Sequence, residues 1–290
     1  MGVITVDTIA LVDKYPHSDE RVLAEKIVRS LGGPAAVASV ALSRLGIKSA
    51  LVGTIGEDPD GTLILETLKQ EGVDTSGITK SSEPTSGSVI VVSKSENTRA
   101  ISTRQPISQV KPNEAGQKLI RNSEWIHVDH VGIKQLDSLG IKRGAGPKIS
   151  FDAGYGVKDF EVSKVDLFAP NDRQMSDRHP GKSAESATQL DSESGANIVA
   201  TTLGSKGSIA YSQSEGLVDA KPLKGEILST LGAGDVFHGA LLAQLISGFS
   251  LKDSISRANI VAGLSCRGLD GISAIPTLKE LEDYIKGANQ

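Results

Sequence analysis

Short apolar runs alternate along the chain with longer segments whose apolar residues recur every third or fourth position. Trp125-Ile126-His127-Val128, Lys148-Ile149-Ser150-Phe151, Leu167-Phe168-Ala169 and Asn197-Ile198-Val199-Ala200-Thr201 are each bounded by polar or turn-forming residues, and they predict strands. Leu51 to Ile55 and Ser208 to Tyr211 predict two more. Val37, Val40, Ala41 and Leu45 form one apolar stripe, and Leu63, Leu65 and Leu68 another; these predict helices over 34–45 and 61–72. Pro34 suits a first helical position and Gly46 the residue just past a helix end. Further helices are predicted over 240–246, 251–264 and part of the stretch between Asp129 and Lys148, while the Ser-rich stretch 176–197 predicts a loop and a surface helix.

Strand and helix in this alternation predict an α/β fold with a mostly parallel sheet and helices on both faces, as one domain over 1–290. Ligands of such sheets lie off the carboxyl ends of the strands, where Asp7, Asp129, Asp152 and Asn171 each follow an apolar run. A second pattern is half-alternating. Thr8 to Asp13, Arg21 to Arg29, Ser88 to Ser93 and Thr98 to Thr103 predict strands, with turns at Tyr15-Pro16-His17-Ser18 and Ser95-Glu96-Asn97.

Composition narrows the class. Apolar residues make up 38% and charged residues 23%, ordinary for a globular chain. A net charge of −4 gives no basic footprint for nucleic acid. The single cysteine, Cys266, excludes an internal disulfide and fits a reducing, cytoplasmic setting. No apolar run reaches the roughly 18 residues of a membrane span, and no basic segment followed by an apolar stretch opens the chain, so neither a membrane anchor nor a signal peptide is expected.

The chemistry concentrates in Ser229-Thr230-Leu231-Gly232-Ala233-Gly234-Asp235-Val236-Phe237-His238-Gly239-Ala240. Gly232 and Gly234 allow a sharp turn into a helix, whose first N–H groups favour an anion. Asp235 in the first turn is either a cap or a general base beside a phosphate site. Thr202-Leu203-Gly204-Ser205-Lys206-Gly207 is a second glycine loop, and it lacks the Gly-Lys-Thr/Ser ending of a Walker loop. No Gly-x-Gly-x-x-Gly follows the first strand, which disfavours a dinucleotide oxidoreductase.

Thr230-Leu231-Gly232-Ala233-Gly234-Asp235-Val236-Phe237 resembles the closing signature of the ribokinase (PfkB) family of carbohydrate kinases, and matching landmarks run in the family's order from Asp7 to Pro276. The resemblance implies a ribokinase-like three-layer α/β/α sandwich with a small β-sheet lid formed by segments of about 8–31 and 84–104. It implies transfer of the γ-phosphoryl of ATP to a sugar hydroxyl, with Asp235 as base and Gly232, Ala233 and Gly234 as anion hole. Asp7 and the Gly32-Gly33 backbone would bind the sugar; Asn171, Thr202, Gly204, Gly207 and Asn259 would bind the nucleotide. Arg104, just past the second hairpin, is either a substrate-binding residue that, with Arg21, serves an anionic group, or a solvated lid-edge arginine. Mg2+ would accompany ATP, no residue is assigned as a metal ligand, and a homodimer through the lid is expected.

The departures from the family pattern are specific. Pro34 and Val37 stand where many relatives carry asparagines, Gln174 replaces a glutamate near the magnesium water shell, and Ser229 replaces an aspartate of the potassium site, which puts a monovalent cation in doubt. Family members begin with several more apolar residues than Met1-Gly2-Val3, so the sequence implies either a misplaced start or a sheet lacking most of one strand. The lid stretch Ala10 to Pro16 resembles ketohexokinases and implies a neutral ketose; Gly32-Gly33-Pro34-Ala35-Ala36 resembles sulfofructose kinases and implies an anionic one. A catalytically silent binder of sugar or nucleotide, and a kinase of a sugar acid or nucleoside, stay open as alternatives.

Overall fold

The structure is a computed structural model that describes residues 1–104, 111–154 and 158–288. In chain order its strands are β1 (Thr5–Val12), β2 (Lys26–Gly32), β3 (Gly53–Gly56), β4 (Ile78–Ser81), β5 (Gly87–Ser93), β6 (Thr98–Thr103), β7 (Trp125–Val128), β8 (Lys148–Asp152), β9 (Leu167–Ala169), β10 (Ile198–Thr202), β11 (Ser208–Ser212) and β12 (Gly216–Ala220). Its helices are α1 (Pro34–Arg44), α2 (Pro59–Gln70), α3 (Glu114–Asn122), α4 (Asp172–Arg178), α5 (Ala184–Glu193), α6 (Ala233–Ile246), α7 (Leu251–Ser265) and α8 (Leu278–Ala288).

The main sheet has the order β12-β11-β10-β9-β8-β7. Strands β7 to β10 pair in parallel; β11 and β12 close one edge antiparallel. Apolar side chains cover both faces. Val40 of α1, Phe237 and Leu241 of α6, and Val261 of α7 pack in one cluster. Phe151, Phe168, Met175 of α4 and Ala187 of α5 pack in another. Two apolar faces on one sheet give the three-layer sandwich expected from the strand–helix alternation.

A separate sheet has the order β2-β1-β5-β6. Its register aligns Asp7, Ile9 and Leu11 with Ser88, Ile90 and Val92 on one face. The apolar part of that face closes on Leu269, with Leu231 packed against it. This sheet therefore lies over the glycine turn that leads into α6.

The amino terminus threads between the main sheet and the two-stranded sheet of β3 and β4. The Met1 amino group donates to the His127 carbonyl at 2.6 Å, and Gly2 N donates to the Val52 carbonyl at 3.1 Å. Burial pulls that amino group down to about 6. A cavity of about 910 Å³ opens beside it, bordered by Met1, Ala38, Leu51 and Ile126 and by the polar Ser49, Asp74 and Lys118.

Some expectations are corrected. Asp7 lies within β1, not past a strand end, because β1 starts at Thr5 and runs through it. The second half-alternating strand starts at Lys26 rather than Arg21. The stretch between β7 and β8 holds only the short 3-10 turns Ile133–Gln135 and Asp137–Leu139; Gly140, Gly144 and Gly146 take positive φ there and interrupt a longer helix. Strands β4 and β12 and helices α3 and α8 were not anticipated. No helix of the described residues is long and apolar enough to cross a membrane.

Candidate active site

Helix α6 begins at a glycine cap. Gly232 has φ 75°, the left-handed region that favours glycine, and a Cβ there would stand 2.8 Å from Gly271 Cα. The Ala233 N–H bends back to the Thr230 carbonyl at 3.3 Å, and the Val236 N–H reaches the Gly232 carbonyl at 2.9 Å. Between them, the first-turn amides of Gly234 and Asp235 have no partner among the described residues. Of the three residues expected to form the anion hole, Ala233 thus has its amide engaged in the turn. The Ser229 hydroxyl accepts from Leu231 N at 3.1 Å and shapes the same turn.

Asp235 is partly buried, and its surroundings are charged. Burial first, then the Asp152 carboxylate beside it, push the Asp235 carboxyl up to about 8; His238 pulls the other way. Asp152 closes β8, and its Oδ2 lies 2.8 Å from His238 Nδ1. Burial opposes the charge on Asp152, yet His238 outweighs it and holds the carboxyl down at about 2. Burial likewise opposes a proton on His238, but Asp152 wins and raises its proton affinity. His127 faces the same group from β7, with Nδ1 3.0 Å from Ser150 Oγ; burial takes it down to about 3, so it is neutral. The cluster thus favours a proton on Asp235, and the Asp152 carboxylate favours one on His238.

The expected sugar residues meet only in part. Asp7 is buried at 9% exposure, and its Oδ1 accepts from Thr5 Oγ1 at 3.0 Å. Burial raises its proton affinity, with Asp270 adding to the effect. Gly32 is needed beside it: a Cβ there would fall 2.1 Å from Asp7 Oδ2. Gly33 has φ 96°, and a Cβ would meet the Val3 carbonyl at 2.5 Å. Arg104 stands apart. Its guanidinium donates to the Thr85 carbonyl, and its charge acts on Asp58.

The expected nucleotide residues form a connected row. Asn171 caps α4, its Oδ1 accepting from Gln174 N at 2.9 Å. Asn171 also bridges Thr202 at the end of β10. Gly204 and Gly207 turn the following loop at φ 57° and 96°. A Cβ on Gly207 would lie 2.1 Å from the Ala220 carbonyl. Asn259 Nδ2 donates to that same carbonyl at 3.0 Å and to the Lys221 carbonyl at 3.1 Å. Gln174 serves as a cap: Oε1 accepts from Asn171 N at 2.7 Å, and Nε2 donates to the Gly154 carbonyl. Asp172 remains exposed at the head of α4.

These observations are matched by similarity to known proteins. The family model described as pfkB family carbohydrate kinase matches residues 1–278. The chain belongs to that family. It is 26% identical to a ribokinase of Lactococcus lactis, over 99% of this chain and 96% of that one. It is 27% identical to a fructokinase of Solanum tuberosum, over 99% and 96%. A solved Arabidopsis thaliana ribokinase complexed with ribose and ATP shares the fold, with a TM-score of 0.81 at 22% identity, over 98% and 97% of the two chains. The protein is therefore a sugar kinase, a phosphotransferase with an alcohol acceptor.

Several residues around the candidate site escaped the sequence reading. His238 lies three positions past Asp235, on the same helix face, which was a usable signal. Asp152 was singled out only for following a strand. Arg99, whose Nη1 donates to Thr230 Oγ1 at 2.8 Å, gave no local signal. No metal ligand was assigned from the sequence; the structure collects a His127, Asp152 and His238 donor set.

Proposed function

We propose that this kinase transfers the γ-phosphoryl of ATP to a hydroxyl of a small neutral sugar, with Asp235 as general base. The observation that carries the reading is the position of Asp235. It lies at the head of α6 beside unpartnered amides, with its proton affinity raised toward that of a working base. Ionised Asp235 takes the hydroxyl proton as the sugar oxygen forms its bond to phosphorus and the bond to the β-phosphate oxygen breaks, releasing ADP. The Gly234 and Asp235 amides, with the helix dipole, stabilise charge on the transferred group. Asp152 receives a hydrogen bond from the protonated base afterwards.

Asp7 and the close backbone at Gly32-Gly33 support sugar binding beneath the four-stranded sheet, which acts as the lid. The row Asn171, Thr202, Gly204, Gly207 and Asn259 supports nucleotide binding off the carboxyl ends of β9 and β10. Bound Mg2+ would neutralise charge on the phosphates, and the exposed Asp172 carboxylate would hold its water shell, since both polar ends of Gln174 are already bonded. The engaged Ser229 hydroxyl favours activity without a monovalent cation.

A neutral sugar is favoured because Arg104, one of the two arginines that could serve an anionic tail, donates to the Thr85 carbonyl. A homodimer through the outer lid face is supported by Ile27 and Val89, which are 67% and 60% exposed there. A coupled ADP-release assay over ribose, fructose, other neutral sugars and sugar acids tests the reading. Sugar-dependent ADP release that is lost in Asp235→Asn supports it; ligand-dependent thermal shifts without ADP would mean a silent binder.

A further inference from the structure

Three donors of different elements converge behind α6: His127 of β7, Asp152 at the end of β8 and His238 of α6. Each offers one ligand atom, and these atoms lie within 4.8 Å of one another. All three side chains are buried, at 8%, 6% and 7% exposure. His127 Nε2 is buried with no hydrogen-bond partner. Its ring is not free to turn toward one, because Nδ1 is held 3.0 Å from Ser150 Oγ. With Nδ1–H donating to that hydroxyl, Nε2 presents a lone pair to the interior. His238 Nδ1 comes within 2.8 Å of Asp152 Oδ2, yet the approach is poorly aligned for an N–H···O bond. Buried polar atoms are normally satisfied, so a lone pair and a misaligned contact sharing one small space need an explanation.

We propose that His127, Asp152 and His238 form a binding site for one divalent transition ion of the Zn2+ class. Two imidazole nitrogens and a carboxylate oxygen suit Zn2+, whereas Mg2+ prefers an all-oxygen shell, so this site is distinct from the nucleotide's magnesium. Ser150 plays the part of the outer hydrogen-bond partner that fixes the tautomer and orientation of a ligating histidine. Gly154 N does the same for the carboxylate, donating to Asp152 Oδ1 at 3.1 Å. On binding, the ion sits between His238 Nδ1 and Asp152 Oδ2, and His238 Nδ1 gives up its proton in exchange. His127 Nε2 gives its lone pair, one proton leaves to solvent, and water completes the shell. Binding does not require ATP or sugar, so it stands apart from the phosphoryl-transfer reading.

The full chain, stripped with a chelator and dialysed, is titrated with Zn2+ without nucleotide or sugar. One ion per chain is expected, with a rise in melting temperature. The Zn X-ray absorption spectrum of the unmutated protein should show two imidazoles with oxygen donors. His127→Gln should weaken binding by about a hundredfold or more, and Ser150→Ala by about ten- to a hundredfold, as loss of an outer partner does. His179→Gln, at a separate histidine paired with Asp191, should leave binding unchanged. Absence of a stoichiometric ion, a first shell without two imidazoles, or undiminished binding in His127→Gln would each overturn the site. The absorption spectrum needs no variant, so a misfolded mutant leaves the test intact.

Discussion

Arg99 Nη1 donates to Thr230 Oγ1 across 2.8 Å, tying the last strand of the four-stranded sheet to the turn that launches the candidate base. Leu231 and Leu269 back that contact with apolar packing against Ile9, Leu11, Ile90 and Val92. The sheet and the anion turn are thus joined at one polar point over an apolar floor. Arg99→Met removes the polar point and keeps the bulk. One net hydrogen bond corresponds to about a two- to tenfold effect. The sugar KM should rise by that factor while the ATP KM stays fixed. An unchanged sugar KM would show that the sheet closes without this contact.

Asp235→Asn keeps the shape of the side chain and removes its ability to accept a proton. General-base loss lowers turnover by about a hundred- to ten-thousand-fold. The Gly234 and Asp235 backbone amides survive the change, so ATP affinity measured by titration should be retained. Full turnover in this variant would remove the assigned base.

The acid limb of the pH–rate profile follows from the groups around Asp235. Burial and the Asp152 charge raise its carboxyl to about 8, with Asp129 adding and His238 opposing. A base works only when ionised, so kcat/KM should climb with pH and level off above about 8. Asp152→Asn removes the largest repelling charge, and the limb should move to lower pH, with Mg2+ as the only divalent ion present. The same carboxyl binds its proton more tightly folded than unfolded. Its contribution to stability is therefore full below about pH 4, the ordinary carboxylate range, and is lost as pH rises toward the folded value. A limb that stays in place in Asp152→Asn would mean that the rate does not report Asp235.

The sandwich was legible because apolar runs such as Trp125–Val128 and Leu167–Ala169 are buried strands whose burial demands that pattern. The glycine turn was legible because Gly232 needs a conformation other residues resist. Strand β12 was not, since Gly216–Ala220 buries only its last residue and carries little apolar signal. The surroundings of Asp235 were not legible either. Asp152 and His238 are 86 positions apart in sequence and 2.8 Å apart in space, and only the sheet topology brings them together. Arg104 shows the complementary limit of the sequence. A polar residue at a strand end reads as a ligand contact until the structure supplies its carbonyl partner.

Gly239 sits where α6 crosses α1, and its lack of a side chain sets how closely the helices approach. A Cβ there would lie 2.6 Å from the Ala38 carbonyl oxygen and 2.9 Å from Ala41 Cβ. Alanine ordinarily favours a helix interior over glycine by about 1 kcal/mol. Here the obstacle is backbone, which cannot rotate aside, and overpacking costs about 1–3 kcal/mol. Overpacking should win, and Gly239→Ala should lower the melting temperature by a few degrees. Gly287 in α8 is the control, because a Cβ there meets nothing within 4 Å. Gly287→Ala should leave the melting temperature level or slightly higher. Because α6 also carries Asp235, the Gly239→Ala displacement should lower kcat as well. Equal melting temperatures in the two variants would show that α1 and α6 separate without cost.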